Sequence, residues 1–123
     1  MDVEFPVFVL AKDSEEVERF DSIYRLQRQL ERIDVENNEY LAWDVNGSAV
    51  ALSVQEPVWL KLEPFADMNQ VGLKDCLEKY AATLGVEVNL AQTSPKAFKD
   101  AYEQIVARKP SPGFWGRLLR KER

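Results

Sequence analysis

Histidine is absent from this sequence, and Cys76 is its only cysteine. Without histidine, the chain has no Ser-His-Asp or Cys-His nucleophilic site, no histidine general acid–base chemistry and no zinc site with histidine ligands. A single cysteine excludes an intrachain disulfide, CxxC redox chemistry and cysteine-rich zinc sites. The acidic neighbours Asp75 and Glu78 oppose thiol ionisation. We therefore interpret Cys76 as a helix-packing residue rather than a nucleophile.

Other functional signals are also missing from the chain. Neither GxxxxGK[ST] nor GxGxxG occurs, so no glycine-rich loop is predicted to hold phosphate. No stretch approaches the roughly 20 apolar residues that span a bilayer. The opening MDVEFPVFVLAKD lacks the basic n-region of a signal peptide. From these absences we predict a cytoplasmic protein with no cofactor and no metal.

Charge is distributed unevenly along the chain. The formal net charge is −5, yet residues 1–107 carry 10 Lys/Arg and 20 Asp/Glu, whereas residues 108–123 carry 6 Lys/Arg and 1 Glu. An acidic body repels nucleic-acid phosphates and attracts basic proteins. We therefore expect a protein partner, with a basic one as the complementary choice, and no nucleic-acid binding by the acidic body.

Hydrophobic periodicity predicts a single α+β domain over residues 1–109. The segment Phe5–Ala11 is apolar on both alternating faces, which is typical of a central strand or one covered on both sides. Asp21 or Ser22 begins a predicted helix that runs to about Ile33. Val17–Phe20 is predicted to return as a short antiparallel partner of the first strand, and Ile23, Leu26, Leu30 and Ile33 form one apolar stripe on the first helix.

A second helix is predicted over Asn69–Leu84 with Gly85 just after its end, and a third with Ser94 as N-cap and Pro95 as its first residue. Val86–Leu90 between them is a possible short strand. The full order β-β-α-β-β-β-α-(β)-α predicts a mainly antiparallel sheet with two to three helices packed on one face.

The stretch Tyr40–Val54 predicts a β-hairpin with a two-residue type I′ turn at Asn46-Gly47. That turn places Trp43 opposite Val50, and the resulting apolar face is the predicted floor for the helices. The other face carries small residues beside one aromatic: Tyr40, Ala42, Ala49, Ala51 and Ser53. Strand alternation places Trp59 on that face as well. Tyr40 and Trp59 are therefore candidate partner-binding residues, since aromatics supply a large share of interface energy.

Two classes of function remain after these exclusions. The favoured class is a small acidic protein-binding module, such as an inhibitor, immunity-type or accessory protein, with no catalytic activity. The alternative is a carboxylate-only enzyme such as a glycoside hydrolase, because that reaction needs only two acids at the right separation. The candidate acids are Asp34, Glu36, Glu39 and Asp44, with Trp43 and Trp59 available to stack on sugars.

The stretches FPVFVLAKDSEEVERFDS and LERIDVENNEYLAWD resemble a family of small bacterial proteins of unknown function. The resemblance covers roughly Phe5 to Leu62 and contains no motif that is specific to a chemistry. It implies a bacterial source and a cytosolic domain. It carries no catalytic or binding residue over to this chain.

The sequence of residues 110–123 predicts a Pro/Gly spacer followed by a basic amphipathic tail. If the tail is helical, its apolar and basic residues occupy different arcs of the helix. Its partner-binding candidates are Phe114, Trp115, Arg117, Leu118 and Arg120. Ten residues are too few for a stable isolated helix, so we expect the tail to order against its own acidic body first, a partner protein second and an anionic membrane last.

Deleting Phe114–Arg123 tests whether the tail docks on its own body. We expect the truncated domain to remain folded and to lose a small amount of stability, and we expect this loss to shrink in high salt because the attraction is electrostatic. Thermal melts of full-length and truncated protein at low and high salt measure it. A truncated protein that does not fold would make the tail part of the core.

Overall fold

A computed structural model describes residues 3–55, 59–65 and 71–108 of the chain. These residues form five strands and four helices. In chain order they are β1 (Val7–Ala11), β2 (Val17–Phe20), α1 (Ile23–Gln29), α2 (Arg32–Glu36), β3 (Tyr40–Trp43), β4 (Ala49–Val54), β5 (Leu60–Pro64), α3 (Leu73–Thr83) and α4 (Pro95–Ala107).

The strands form one sheet in the order β2-β1-β3-β4-β5, and every neighbouring pair is antiparallel. β1 and β2 form a hairpin, as the sequence predicts, and β3, β4 and β5 form a meander. α1 and α2 connect β2 to β3, and these two strands lie on opposite edges of β1. This arrangement confirms the predicted α+β class with a mainly antiparallel sheet.

Helices cover both faces of the sheet, so the prediction that they pack on one face is wrong. The α3/α4 core contains Phe8, Val17 and Trp43 beneath those two helices. The α1/α2 core lies on the opposite face and contains Val7 and Val9 with Leu26, Leu30 and Val35 of the helices. The physical reason is β1, whose alternating residues are apolar on both sides and are all buried from 7 to 9.

The β3–β4 hairpin differs from prediction by one residue of register. Trp43 pairs with Ala49 rather than Val50, and Asp44 N donates to Ser48 O at 2.8 Å. The connection is therefore a three-residue loop, Val45–Gly47, in which Gly47 N donates to Asp44 O and Gly47 alone has positive φ, at 82°. Because side chains alternate, the slip puts Val50 on the face opposite Trp43. The prediction that Trp43 and Val50 share one apolar face of the hairpin is therefore wrong.

The predicted helix from Asp21 or Ser22 to Ile33 is two helices in the structure. The Ser22 hydroxyl caps α1 by accepting from Arg25 N, but Leu30 has extended backbone and ends the helix. The break buries Leu30 and Val35 and leaves Ile33 62% exposed. Ile33 therefore does not continue the apolar stripe that its spacing predicts.

The two later helices agree with their predicted end and cap signals, although α3 begins at Leu73 and not at the predicted Asn69. α3 ends before Gly85, whose φ is 68°, and Ser94 caps α4 by accepting from Ala97 N, with Pro95 as the first helical residue. The stretch 86–90, considered as a short strand, forms none. Its alternate residues Val86, Val88 and Leu90 still pack against the α3/α4 core.

Gly47 gives a direct test of the hairpin geometry. Gly47 has positive φ, and a Cβ added to it would lie 2.9 Å from the Phe98 ring. Gly85 also has positive φ, but a Cβ added there would meet no atom within 4 Å. We expect Gly47→Ala to lower the free energy of unfolding by about 2–5 kcal/mol, because strain and overpacking add, and Gly85→Ala by about 1–2 kcal/mol, from strain alone. Urea unfolding measures both.

Phe98→Leu provides the matched check on the Gly47 contact. The ring atoms that a new Cβ would meet are absent from leucine, so Gly47→Ala should cost less in a Phe98→Leu background. Equal costs for Gly47→Ala and Gly85→Ala would contradict the packing of α4 over this loop.

Candidate functional site

The two predicted aromatic candidates lie on the α1/α2 side of the sheet. Tyr40 and Trp59 are both half-buried and pack against the α1/α2 core. The Tyr40 hydroxyl donates to Asp34 Oδ2 at 3.4 Å. Burial raises the pKa of Tyr40. A backbone hydrogen bond at Glu31 lowers it in part, and the carboxylates of Asp34 and Glu31 raise it further. Helices α1 and α2 therefore cover the face that carries Tyr40 and Trp59, which was predicted to lie on the side of the sheet without helices.

The predicted patch of small residues is divided between the two faces. Tyr40 and Ala42 belong to the α1/α2 side, where Ala42 is buried. The one-residue register shift turns Ala49, Ala51 and Ser53 to the other side. The structure therefore does not bring the aromatic candidates and these small residues together.

The five tail candidates fall outside the described residues. They are Phe114, Trp115, Arg117, Leu118 and Arg120. The last residue that the structure describes is Arg108, which follows α4 directly. The expected docking of the tail therefore stays a prediction.

The four candidate carboxylates do not converge on one pocket. Asp44 is 7% exposed, and its Oδ1 accepts from the backbone N–H groups of Asn46 and Ser48 at 2.9 and 3.1 Å. Asp34 accepts from Tyr40, and Glu36 lies 3.7 Å from the Arg32 guanidinium. Asp44 and Asp34 thus have structural partners, which explains their presence without a reaction.

An open depression of about 590 Å³ lies between α2 and β4. It is lined by Arg32, Val35, Glu36, Asn38, Leu52, Ser53 and Val54. Glu36 is the one candidate acid among these residues, so the depression lacks the paired carboxylates of a glycoside hydrolase. Its apolar and charged lining is suited to an amphipathic side chain.

α2 carries an exposed apolar residue that the sequence pattern did not predict. Ile33 is 62% exposed, and the chain from 31 to 39 around it holds four acids, Glu31, Asp34, Glu36 and Glu39, and one cation, Arg32. We call Ile33 with these four acids the α2 surface. The acids were visible in the sequence, but the stripe pattern assigned Ile33 to the core.

Cys76 lies in α3 and is buried in the α3/α4 core. Burial raises the pKa of its thiol, and Asp75 raises it further, against a smaller opposing effect of Lys79. A buried thiol with a raised pKa is a poor nucleophile. This position fits the interpretation of Cys76 as a packing residue.

Comparison with family models, with curated proteins and with solved structures found no match to this chain. Within the ranges that the structure describes, no three or more His, Cys, Asp or Glu residues are grouped so that they would hold a metal ion. Across the same ranges, none of the helices has the length and apolar character to cross a membrane.

The structural role of Asp44 is testable by two substitutions. Asp44→Ala removes the acceptor of two loop N–H groups, and we expect it to lower the free energy of unfolding by about 1–3 kcal/mol. Asp44→Asn retains an acceptor oxygen and should recover most of that loss. Chemical denaturation of both variants measures the difference, and an alanine variant as stable as the parent would contradict the role.

Proposed function

We propose that this protein is a small acidic protein-binding module of the inhibitor, immunity or accessory type, which binds a basic protein through the α2 surface. The observation that carries the proposal is the exposure of Ile33 among carboxylates beside an open depression. We further propose that it acts in the cytosol of a bacterium, which the family resemblance and the single cysteine support.

An exposed apolar side chain within a charged rim has the composition of an interface centre. Burying the exposed part of Ile33 against a partner would contribute favourably through the hydrophobic effect. The carboxylates of Glu31 and Glu39 are exposed, and no described side chain forms an ion pair with either. They are therefore free to attract a cationic surface and to raise its association rate.

The depression beside α2 gives the partner a place for a long basic side chain. Leu52 and Val54 offer apolar area to the aliphatic stem of a lysine or arginine. Glu36 supplies a carboxylate in the same lining, which an incoming cation would share with Arg32 at 3.7 Å. Tyr40 supports this surface from beneath, through its hydrogen bond to Asp34. Trp59 is half-buried and packs against the same α1/α2 core.

Charge reversal on the α2 surface tests the proposal. We expect the unmodified protein to capture a stoichiometric basic partner from its native cell extract, identified by mass spectrometry. Glu31→Lys/Glu39→Lys should weaken the affinity for that purified partner at least about tenfold, because complementary charges become like charges. Binding by the parent should also weaken as salt rises.

A second double variant controls for net charge. Glu87→Lys/Glu103→Lys makes the same change in charge at two exposed residues on the α3/α4 side of the sheet, and it should leave the affinity nearly unchanged. Ile33→Ser should weaken binding without the same salt dependence. Equal losses from the two charge-reversal variants would place the binding surface elsewhere on the acidic body.

A further inference from the structure

β5 presents backbone groups that no described residue pairs. It is the last strand of the sheet, and β4 is its only neighbour there. The hydrogen bonds Gln55 N to Trp59 O and Phe65 N to Ala49 O define the alternation of this ladder. By that alternation the amide groups of Lys61 and Glu63 face β4, and those of Leu60 and Leu62 face outward.

The opposite edge of the sheet differs, because a helix side chain occupies part of it. Arg19 N of β2 donates to the Tyr102 hydroxyl of α4 at 3.3 Å. Arg19 also lies within ion-pair distance of Asp21 and Glu103, at 2.9 and 3.8 Å. The β5 edge has no such cover among the described residues, so it is the edge available for further pairing.

We propose that β5 pairs antiparallel with β5 of a second copy of this chain, with Leu62 on the two-fold axis. The two Leu62 residues would then exchange a pair of backbone hydrogen bonds, and each Leu60 N–H would donate to the Pro64 carbonyl of the other copy. This proposal goes beyond the function proposed above and does not depend on it.

Charge complementarity selects this register over its neighbours. With Leu62 opposite Leu62, each Lys61 lies opposite Glu63 of the other copy in a non-hydrogen-bonded pair, where side chains approach most closely. Shifting the strands one way places Lys61 opposite Lys61, and shifting them the other way places Glu63 opposite Glu63. Lys61 and Glu63 already lie 2.8 Å apart within the strand, so the dimer would gather four alternating charges.

Lysine and proline on an edge strand usually oppose pairing. Here Glu63 lies two residues from Lys61 on the same face of the strand. Opposite charges therefore face each other across the dimer in one antiparallel register, and like charges repel each other in the neighbouring registers. Pro64 lacks an N–H and stands at the strand end, where it limits the ladder rather than interrupting it. These residues therefore restrict how β5 pairs and favour a defined dimer over open aggregation.

The side chains on the α1/α2 side also fit a paired edge. Leu60 is buried and Leu62 is half-buried against the α1/α2 core. Pairing at the two-fold axis would bring the two Leu62 side chains together and extend that apolar layer from one copy into the next. Two five-stranded sheets would form one continuous sheet.

Reciprocal charge variants of the full-length chain test this dimer. Sedimentation equilibrium over a wide concentration range should show a reversible dimer for the parent. Lys61→Glu alone, or Glu63→Lys alone, places like charges opposite each other, and we expect either to raise the dimer dissociation constant about tenfold or more. The double variant Lys61→Glu/Glu63→Lys should restore dimerisation, because its two charges are exchanged.

Mixing the two single variants provides the decisive arm of the experiment. Chains carrying Lys61→Glu and chains carrying Glu63→Lys are complementary across the dyad, so an equimolar mixture should dimerise although neither does so well alone. Circular dichroism confirms that each variant is folded. A parent that stays monomeric at all concentrations, or a dimer that is indifferent to these variants and their mixture, would overturn the proposal.

Discussion

The two-sided burial of β1 is the constraint on which the rest of the fold depends. Val7 and Val9 point into one core and Phe8 into the other, and β1 has a hydrogen-bonded neighbour on each edge. A strand in this position has no surface left for solvent, so both faces of the sheet need a helical cover. The chain supplies α1 and α2 between β2 and β3 for one face. It supplies α3 and α4 after β5 for the other.

Local signals predicted those parts of the fold that local interactions determine. β2 has its predicted bounds, and the Ser94 cap, Pro95 and Gly85 mark helix ends where the sequence places them. The predicted register of the β3–β4 hairpin was wrong because Asn46-Gly47 is only one of the interactions that determine the length of its loop. The buried Asp44 carboxylate accepts from Asn46 and Ser48, which stabilises a loop one residue longer, and the Phe98 ring packs against Gly47 from a distant helix. One residue of slip then exchanges the faces of every residue in β4.

The candidate site shows the same division between local and tertiary information. Helical spacing joined Leu26, Leu30 and Ile33 into one stripe, and a continuous helix would have satisfied it. In the folded protein the helix ends at Leu30, and Val35 rather than Ile33 contacts the sheet. The sequence offered Asp34, Glu36 and Glu39, together with Asp44, only as candidate acids of an enzyme, and no pattern in it shows that an isoleucine is exposed near the first three. That exposure depends on how α2 packs on β4, which no local pattern specifies.

The helical cover of the sheet is uneven among the residues that the structure describes. The α3/α4 core includes no residue of β4 or β5 among its described members, whereas the α1/α2 core includes Val50 and Leu60. As far as the described residues show, the β1/β2/β3 half of the sheet has helices on both faces and the β4/β5 half has them on one. Ala51 and the Lys61–Glu63 ion pair lie on the less covered side. The β5 edge lies in the plane of this half-sheet, and α2 lies on its covered face. A second copy at the edge would therefore leave the α2 surface of each copy accessible, so one dimer would offer two sites to a basic partner and gain from avidity wherever that partner is itself multivalent.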